Sequence, residues 1–217
     1  MSATTVTDRQ THWDRVYREK SPEAVSWYQS RPEMSLQLIR NAGVSADEPV
    51  IDVGGGAAGL VDCLIDQDHK RIAVLDVSAR ALEIARNRLG LKAGCVEWFV
   101  EDVTRFQPPH TFSVWHDRAV FHFLTDPADR LDYIRVMTES LIAGGHLIVA
   151  TFAPDGPRRC SGLDVVRYDG VKLMRELGEG FSMIEQHSEL HLTPGGATQN
   201  FAWFRLRRTA RAAGLRQ

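Results

Sequence analysis

The sequence predicts an α/β fold: a doubly wound, mostly parallel sheet with helices on both faces, closed near its C-terminal end by an antiparallel hairpin. Three observations carry this expectation. Short apolar runs recur at 50–53, 72–75, 96–100, 112–116 and 146–152, bounded by glycine and polar turns, as strands buried on both faces do. Helical segments at 57–66, 79–89 and 127–141 separate them, and alternation on this scale implies right-handed crossovers between parallel strands. Two late strands, at 181–190 and 199–207, flank Thr193-Pro194-Gly195-Gly196, a hairpin signal.

Taken in order, the chain opens with polar residues 1–9, which read as an end without function. Amphipathic helices follow at 8–20 and 32–42, a helical lid over about 8–45 ahead of a core over about 49–208. Ser30-Arg31-Pro32-Glu33 has the form of a capping box with proline in the first turn. Ser78 is placed to cap the helix at 79–89. Asp126-Pro127 gives the next helix an N-cap and a first-turn proline, and Gly144-Gly145 is placed to stop it before the fifth strand. Residues 153–168 read as one long loop, followed by a short helix at 171–177. The arginine-rich segment 207–217 reads as a second functionless end. No internal repeat interrupts this plan.

Bulk properties narrow the function. A chain of 217 residues suits a single domain spanning 1–217, and 43% hydrophobic with 25% charged residues suits a globular one. A net charge of −2 supplies no field to collect nucleic acid or anionic lipid. Cys63, Cys95 and Cys160 are odd in number and widely spaced, so neither a disulfide framework nor a zinc site is expected. Residues 1–10 lack an apolar signal region and no run nears the roughly 18 apolar residues of a membrane span. The expectation is a cytoplasmic protein.

The strongest motif is Ile51-Asp52-Val53-Gly54-Gly55-Gly56-Ala57-Ala58-Gly59-Leu60, at the end of the first strand and the start of a helix. Glycine there lets the backbone turn tightly and meet a ligand beside the positive end of a helix. Some twenty residues on, Leu75-Asp76 ends the second strand, where a carboxylate can accept both hydroxyl hydrogens of a ribose. Glu101-Asp102-Val103 ends the third. A tight turn, a helix-terminal charge and a solvated loop acid would be the plain alternatives for these three features.

In this order, those strand ends resemble the class I S-adenosylmethionine-dependent methyltransferases. The resemblance covers about 10–208, includes the closing hairpin that dinucleotide dehydrogenases lack, and extends to Leu141-Ile142-Ala143-Gly144-Gly145-His146-Leu147, similar to that family's turn before the fifth strand. It implies a Rossmann-like seven-stranded sheet and S-adenosylmethionine as cofactor. It places Asp52, Gly54 and Gly56 at the methionine end, Asp76 on the ribose and Asp102, with Val103, on the adenine. Ala58 stands where the family often has a third glycine. The stretches His116-Asp117-Arg118-Ala119-Val120-Phe121-His122-Phe123-Leu124 and Phe152-Ala153-Pro154-Asp155-Gly156-Pro157 look like those of small bacterial members whose methyl acceptor is not characterised.

On the acceptor side, strand four runs into two imidazoles and a guanidinium beside the topological switch point. His122 is the expected general base, with His116 and Arg118 beside it; a packing role for His122 and a local ion pair for Arg118 are the alternatives. Arg118 is suited to orient either the methionine carboxylate or the acceptor. His116 and His122 lie six residues apart across a turn, so no metal is expected. Trp27 and Tyr28, with Trp13 and Tyr17 before them, are expected to line or lid the site, and Cys160 lies in the long loop. The expected reaction is in-line methyl transfer to a small-molecule nucleophile, with a thiol favoured. A protein-lysine methyltransferase stands as the alternative, although that group carries Asp-Lys-Gly where this chain has Asp117-Arg118-Ala119. A non-catalytic cofactor-binding module and a dehydrogenase are the others.

Overall fold

The computed structural model describes residues 6–209; the expectations for residues 1–5 and 210–217 lie outside the described residues. Helices α1 (Val6–Glu19) and α2 (Glu33–Ala42) precede the sheet. Strands β1 (Val50–Val53), β2 (Ile72–Asp76), β3 (Val96–Val100), β4 (Phe112–Arg118) and β5 (Leu141–Phe152) then alternate with α3 (Leu60–Asp66), α4 (Ala79–Leu89) and α5 (Pro127–Ser140). A small hairpin, β6 (Arg159–Cys160) and β7 (Leu163–Asp164), leads to α6 (Gly170–Leu177), and β8 (Phe181–Leu192) and β9 (Thr198–Arg208) close the sheet. Seven strands pair in the order β3-β2-β1-β4-β5-β9-β8. The first five run parallel, and β9 lies antiparallel to both β5 and β8.

Pleating divides the core into two layers. Ile51, Val53, Trp115, Leu147 and Val149 face Tyr133 and Met137 of α5 and Leu173 of α6. Their neighbours Val50, Val114, Ile148 and Ala150 face Leu36 and Ile39 of α2 and Leu60 and Leu64 of α3. Strands apolar on both faces read as unbroken apolar runs, which is how β1, β2, β4 and the buried part of β5 stand out in the sequence; the edge strand β3 is only half-buried. Strand order reverses between β1 and β4, and register aligns Val53 with both Leu75 and Asp117. The first, second and fourth strands therefore end together at one edge of the sheet.

Three local expectations are corrected. The N-cap of α2 is Pro32, with no side-chain cap bond. Ser30 sits two residues too early for its hydroxyl to serve as the box requires. Helix α5 ends at Ser140, and β5 begins at the next residue. Gly144-Gly145 therefore lies inside the strand, where Gly144 has φ +79° and a Cβ on Gly145 would meet Ser113 O and Leu141 Cγ at 3.0 Å. Finally, 153–168 is not all loop, since it holds the β6-β7 hairpin. Asp126 and Ser78 do cap their helices, accepting from Ala128 N–H and Ala81 N–H.

One buried network fixes the end of β4. Trp115 Nε1 donates to Tyr133 Oη (3.0 Å), which donates to Asp117 Oδ2 (2.7 Å). Asp117 also accepts Val120 N–H (2.8 Å) and Phe121 N–H (3.0 Å), closing the turn in which Ala119 adopts φ +71°. Burial pushes the Asp117 carboxyl up to about 6 against these hydrogen bonds. Tyr133→Phe leaves the Trp115 N–H without its acceptor and Asp117 Oδ2 with the Phe121 N–H alone. The expected loss of stability is about 1 to 3 kcal/mol in urea unfolding; an unchanged midpoint would show that the network contributes nothing.

Candidate functional site

At the common strand edge lies a cavity of about 520 Å³, within the range of small-molecule sites. Gly54, Asp76, Val77, Asp102 and Val103 line one part of it, and Arg118, Phe152, Cys160, Gln199 and Phe201 another. Trp13, Tyr17 and Trp27 come from the N-terminal segment. Their rings meet edge-to-face, Trp13 with Trp27 at 5.7 Å and Tyr17 with Trp27 at 6.1 Å. A smaller adjoining cavity is bounded by Asp52, Gly54, Trp27, Tyr28, His116 and Arg118. The structure thus brings Gly54, Asp76, Asp102, Val103, Trp27 and Arg118 around the main cavity and Asp52 and His116 around its neighbour.

The glycine turn is tighter than ligand access alone requires. Gly54 has φ +67°, and a Cβ there would overlap Val120 Cγ2. Gly56, at φ +44°, lines neither cavity; its Cβ would lie 2.8 Å from both Asp76 Oδ2 and Tyr17 Oη. These glycines accordingly let three elements converge, and only Gly54 also faces the main cavity.

The acids are individually held. Asp76 is buried, and its Oδ1 accepts Ser78 N–H at 2.8 Å. Burial, with a contribution from Asp52 and Asp14, pushes its carboxyl up to about 7. Asp102 Oδ1 accepts both the N–H and hydroxyl of Thr104, at 2.9 and 2.7 Å. Its Oδ2 takes Arg9 Nη1 at 2.9 Å, while Arg9 Nη2 reaches Asp129. Arg9 lines the cavity too, although it falls in the segment 1–9 that reads as an end without function. Nothing in the local sequence marks it, because its partners lie about a hundred residues away.

Both histidines named as catalytic are placed otherwise. His116 is buried, with Nδ1 donating to Asp52 Oδ1 (2.7 Å) and Nε2 bonded to Ser35 Oγ (3.0 Å). Both ring nitrogens are spent on positioning Asp52. His122 is fully buried in a 3-10 turn between Phe123 and Phe152 and does not line either cavity. Its Nδ1 accepts Phe152 N–H at 3.3 Å, so the neutral ring has no free lone pair. Burial, then Arg118, lowers its pKa to about 3. A general base needs an accessible lone pair on a group that titrates near neutrality, and His122 has neither. Cys160 does reach the cavity, but burial pushes its thiol up.

The site's residues fit an adenosine-bearing cofactor: Asp76, at the end of β2, presents a carboxylate to the cavity, and the glycine turn brings backbone beside it without a Cβ. No described helix is long and apolar enough to cross a membrane, and no metal-binding cluster occurs among the described residues.

Comparison with known proteins agrees with this geometry. Residues 51–147 match the family model of a methyltransferase domain. Similar solved structures include the N-methyltransferase NodS from Bradyrhizobium japonicum WM9 in complex with S-adenosyl-L-homocysteine (20% identity, 94% of this chain and 100% of that one, TM-score 0.72). A SAM-dependent methyltransferase from Anabaena variabilis ATCC 29413 matches at 15% identity over 95% and 96% of the two chains, TM-score 0.73. The 1,6-didemethyltoxoflavin-N1-methyltransferase of Burkholderia thailandensis matches at 16% over 97% and 92%, TM-score 0.69. No curated protein matches the sequence.

The reassignment of His122 has a pH signature. Unfolded, the ring takes up a proton below its ordinary 6.5, whereas folded it stays neutral until about 3. Its share of stability is therefore full above about 6.5 and is lost as pH falls toward 3. Urea unfolding from pH 7 to 4 should show a steeper loss in the wild type than in His122→Asn, which is itself less stable at pH 7. Parallel profiles would refute the buried neutral imidazole.

Proposed function

We propose that this chain, which carries a methyltransferase domain on the class I S-adenosylmethionine-dependent methyltransferase fold, transfers the sulfonium methyl of S-adenosylmethionine to a small-molecule nucleophile. The observation that supports it is the single cavity shared by the strand-end acids and a separate group of residues from β4, β5, β6 and β9. The cofactor would supply the methyl group. Asp76 would accept from its ribose hydroxyls, Asp102 and Val103 would bound its adenine, and Gly54 would admit its methionine end, with Asp52 below, braced by His116. Trp27, Trp13 and Tyr17 would cover it and keep out water. Gly56 acts indirectly, by giving Asp76 and Tyr17 room.

The acceptor end supports a nucleophile that needs no help to lose a proton. Among the described residues there, Arg118, Phe152, Gln199 and Phe201 are no base at neutral pH, the Cys160 thiol is pushed up, and the Asp164 carboxylate is paired with Arg159. Catalysis would then rest on alignment and water exclusion, as suits a small thiol. Two of the similar structures are N-methyltransferases by name, so amines form the second class to screen.

Calorimetry with S-adenosylhomocysteine tests the cofactor half of this reading. Asp76→Ala should weaken binding by about 1 to 3 kcal/mol, the scale of its hydrogen bonds, and Gly56→Val should weaken it further by displacing Asp76. Unchanged affinity in both would remove the strand-end site. Transfer of radiolabelled methyl to a panel of thiols and amines tests the acceptor half; failure across both classes would count against a small nucleophile.

A further inference from the structure

We infer that Arg118 selects an acceptor bearing a carboxylate, gripped by its guanidinium at the end of the cavity remote from Asp76 and Asp102; this rests on the methyltransferase reading and specifies its substrate class.

The guanidinium lines the cavity yet is only partly used. Its Nη1 donates to Trp27 O at 2.9 Å, whereas Nε and Nη2 are shut off from solvent and have no acceptor among the described residues. Other sheltered arginines are neutralised or bonded to carbonyls at the surface: Arg9 pairs with Asp102 and Asp129, Arg130 with Glu176 and Arg205 with Glu185, while Arg167 and Arg208 donate to Gly156 O and Leu141 O. Arg118 forms no ion pair among the described residues. The two carboxylates whose fields reach it are committed elsewhere. Glu189 accepts Gln29 Nε2 (2.9 Å) and Trp203 Nε1 (2.8 Å), and Asp52 accepts His116. A sheltered charge with idle donors is costly, and a bidentate carboxylate is the partner whose geometry matches it.

Surrounding groups fix where that partner sits. The guanidinium carbon lies 4.9 Å from the centre of the Phe201 ring, which together with the Trp27 carbonyl holds the fork in one plane. Phe201 is on β9, and Cys160, whose field also reaches Arg118, is on β6. Gln199, two residues before Phe201, lines the same end and leaves its amide oxygen without a partner. Burial lowers the Arg118 pKa only to about 10, so the charge persists at neutral pH. Of the carboxylates lining the cavity, Asp129 pairs with Arg9 and Asp164 with Arg159, and no carboxylate among the described residues bonds the guanidinium.

Benzoate and its neutral isostere benzamide, titrated into protein saturated with S-adenosylhomocysteine, test the assignment. Benzoate should bind about ten-fold or more tightly than benzamide, the scale of one charge-assisted hydrogen bond. Arg118→Gln should erase that preference, and Arg118→Lys should keep part of it, with melting temperatures showing that both variants fold. The comparison is made at saturating S-adenosylhomocysteine in every protein, because losing the bond to the Trp27 carbonyl loosens the cover over the cofactor in the Gln variant. Equal binding of the two probes, binding of neither at millimolar concentration, or a preference that survives in Arg118→Gln would overturn the proposal. So would a loss of S-adenosylhomocysteine affinity beyond ten-fold in that variant, because the guanidinium would then hold the cofactor's own carboxylate. If the wild type binds no S-adenosylhomocysteine, the methyltransferase reading fails, and the benzoate titration without it still decides on Arg118.

Discussion

The site depends on the contact between Val120 and the bare backbone of Gly54. Val120 stands in the turn after β4, Gly54 in the turn after β1, and no Cβ separates them. The turn after β4 holds this position because Asp117 ties down the amides of Val120 and Phe121 and is itself tied to Tyr133. Ala119 is thereby kept at a positive φ that costs a non-glycine residue on the order of 1 kcal/mol. The same turn aims Arg118 toward the cavity and sends His122 inward. Rigidity at one strand end thus sets the place of a charge and the absence of a base.

Buried acids are the second constraint, and each is handled in its own way. Asp52 is matched by the His116 N–H, Asp102 by Arg9 and Thr104, and Asp117 by amides and a phenol. Asp76 has only backbone N–H groups, those of Ser78 and Val77, against two like charges, and its carboxyl is pushed up to about 7, above Asp117 at about 6. A group in that state is the one most relieved by donors arriving from outside, consistent with ribose hydroxyls as its intended company.

How much of this was legible in the sequence follows from the range of each interaction. Parallel strands buried on two faces announce themselves as apolar runs, and the caps at Ser78 and Asp126 act over two or three residues, so both were read correctly. Asp76 and Asp102 were legible as strand-end acids because spacing alone put them there. The roles of His116 and His122 were not. Whether an imidazole faces a cavity or a core is decided by the turn around it and by the strand opposite, here by Phe152 N–H and by Asp52. Arg9 and the β6-β7 hairpin stayed hidden for the same reason, and Gly144-Gly145 looked like a helix stop because a glycine-bearing irregularity within a strand carries the same letters.

The roof of the cavity has a consequence for the order in which the molecule can become competent. Residues 26–29 are fastened by Ser26 O to His191 Nε2, by Gln29 to Glu189 and by the Trp27 carbonyl to Arg118, across sequence separations of 165, 160 and 91 residues. Closing such loops costs chain entropy that is recovered only when both ends are in place. A nascent chain that has not yet delivered β8 can therefore pair β1 with β2 and β4, and so possess the glycine turn and its acids, while the roof over them has two of its three anchors missing. Assembly of the sheet and readiness to hold a ligand are separate events, the second waiting on the final quarter of the chain.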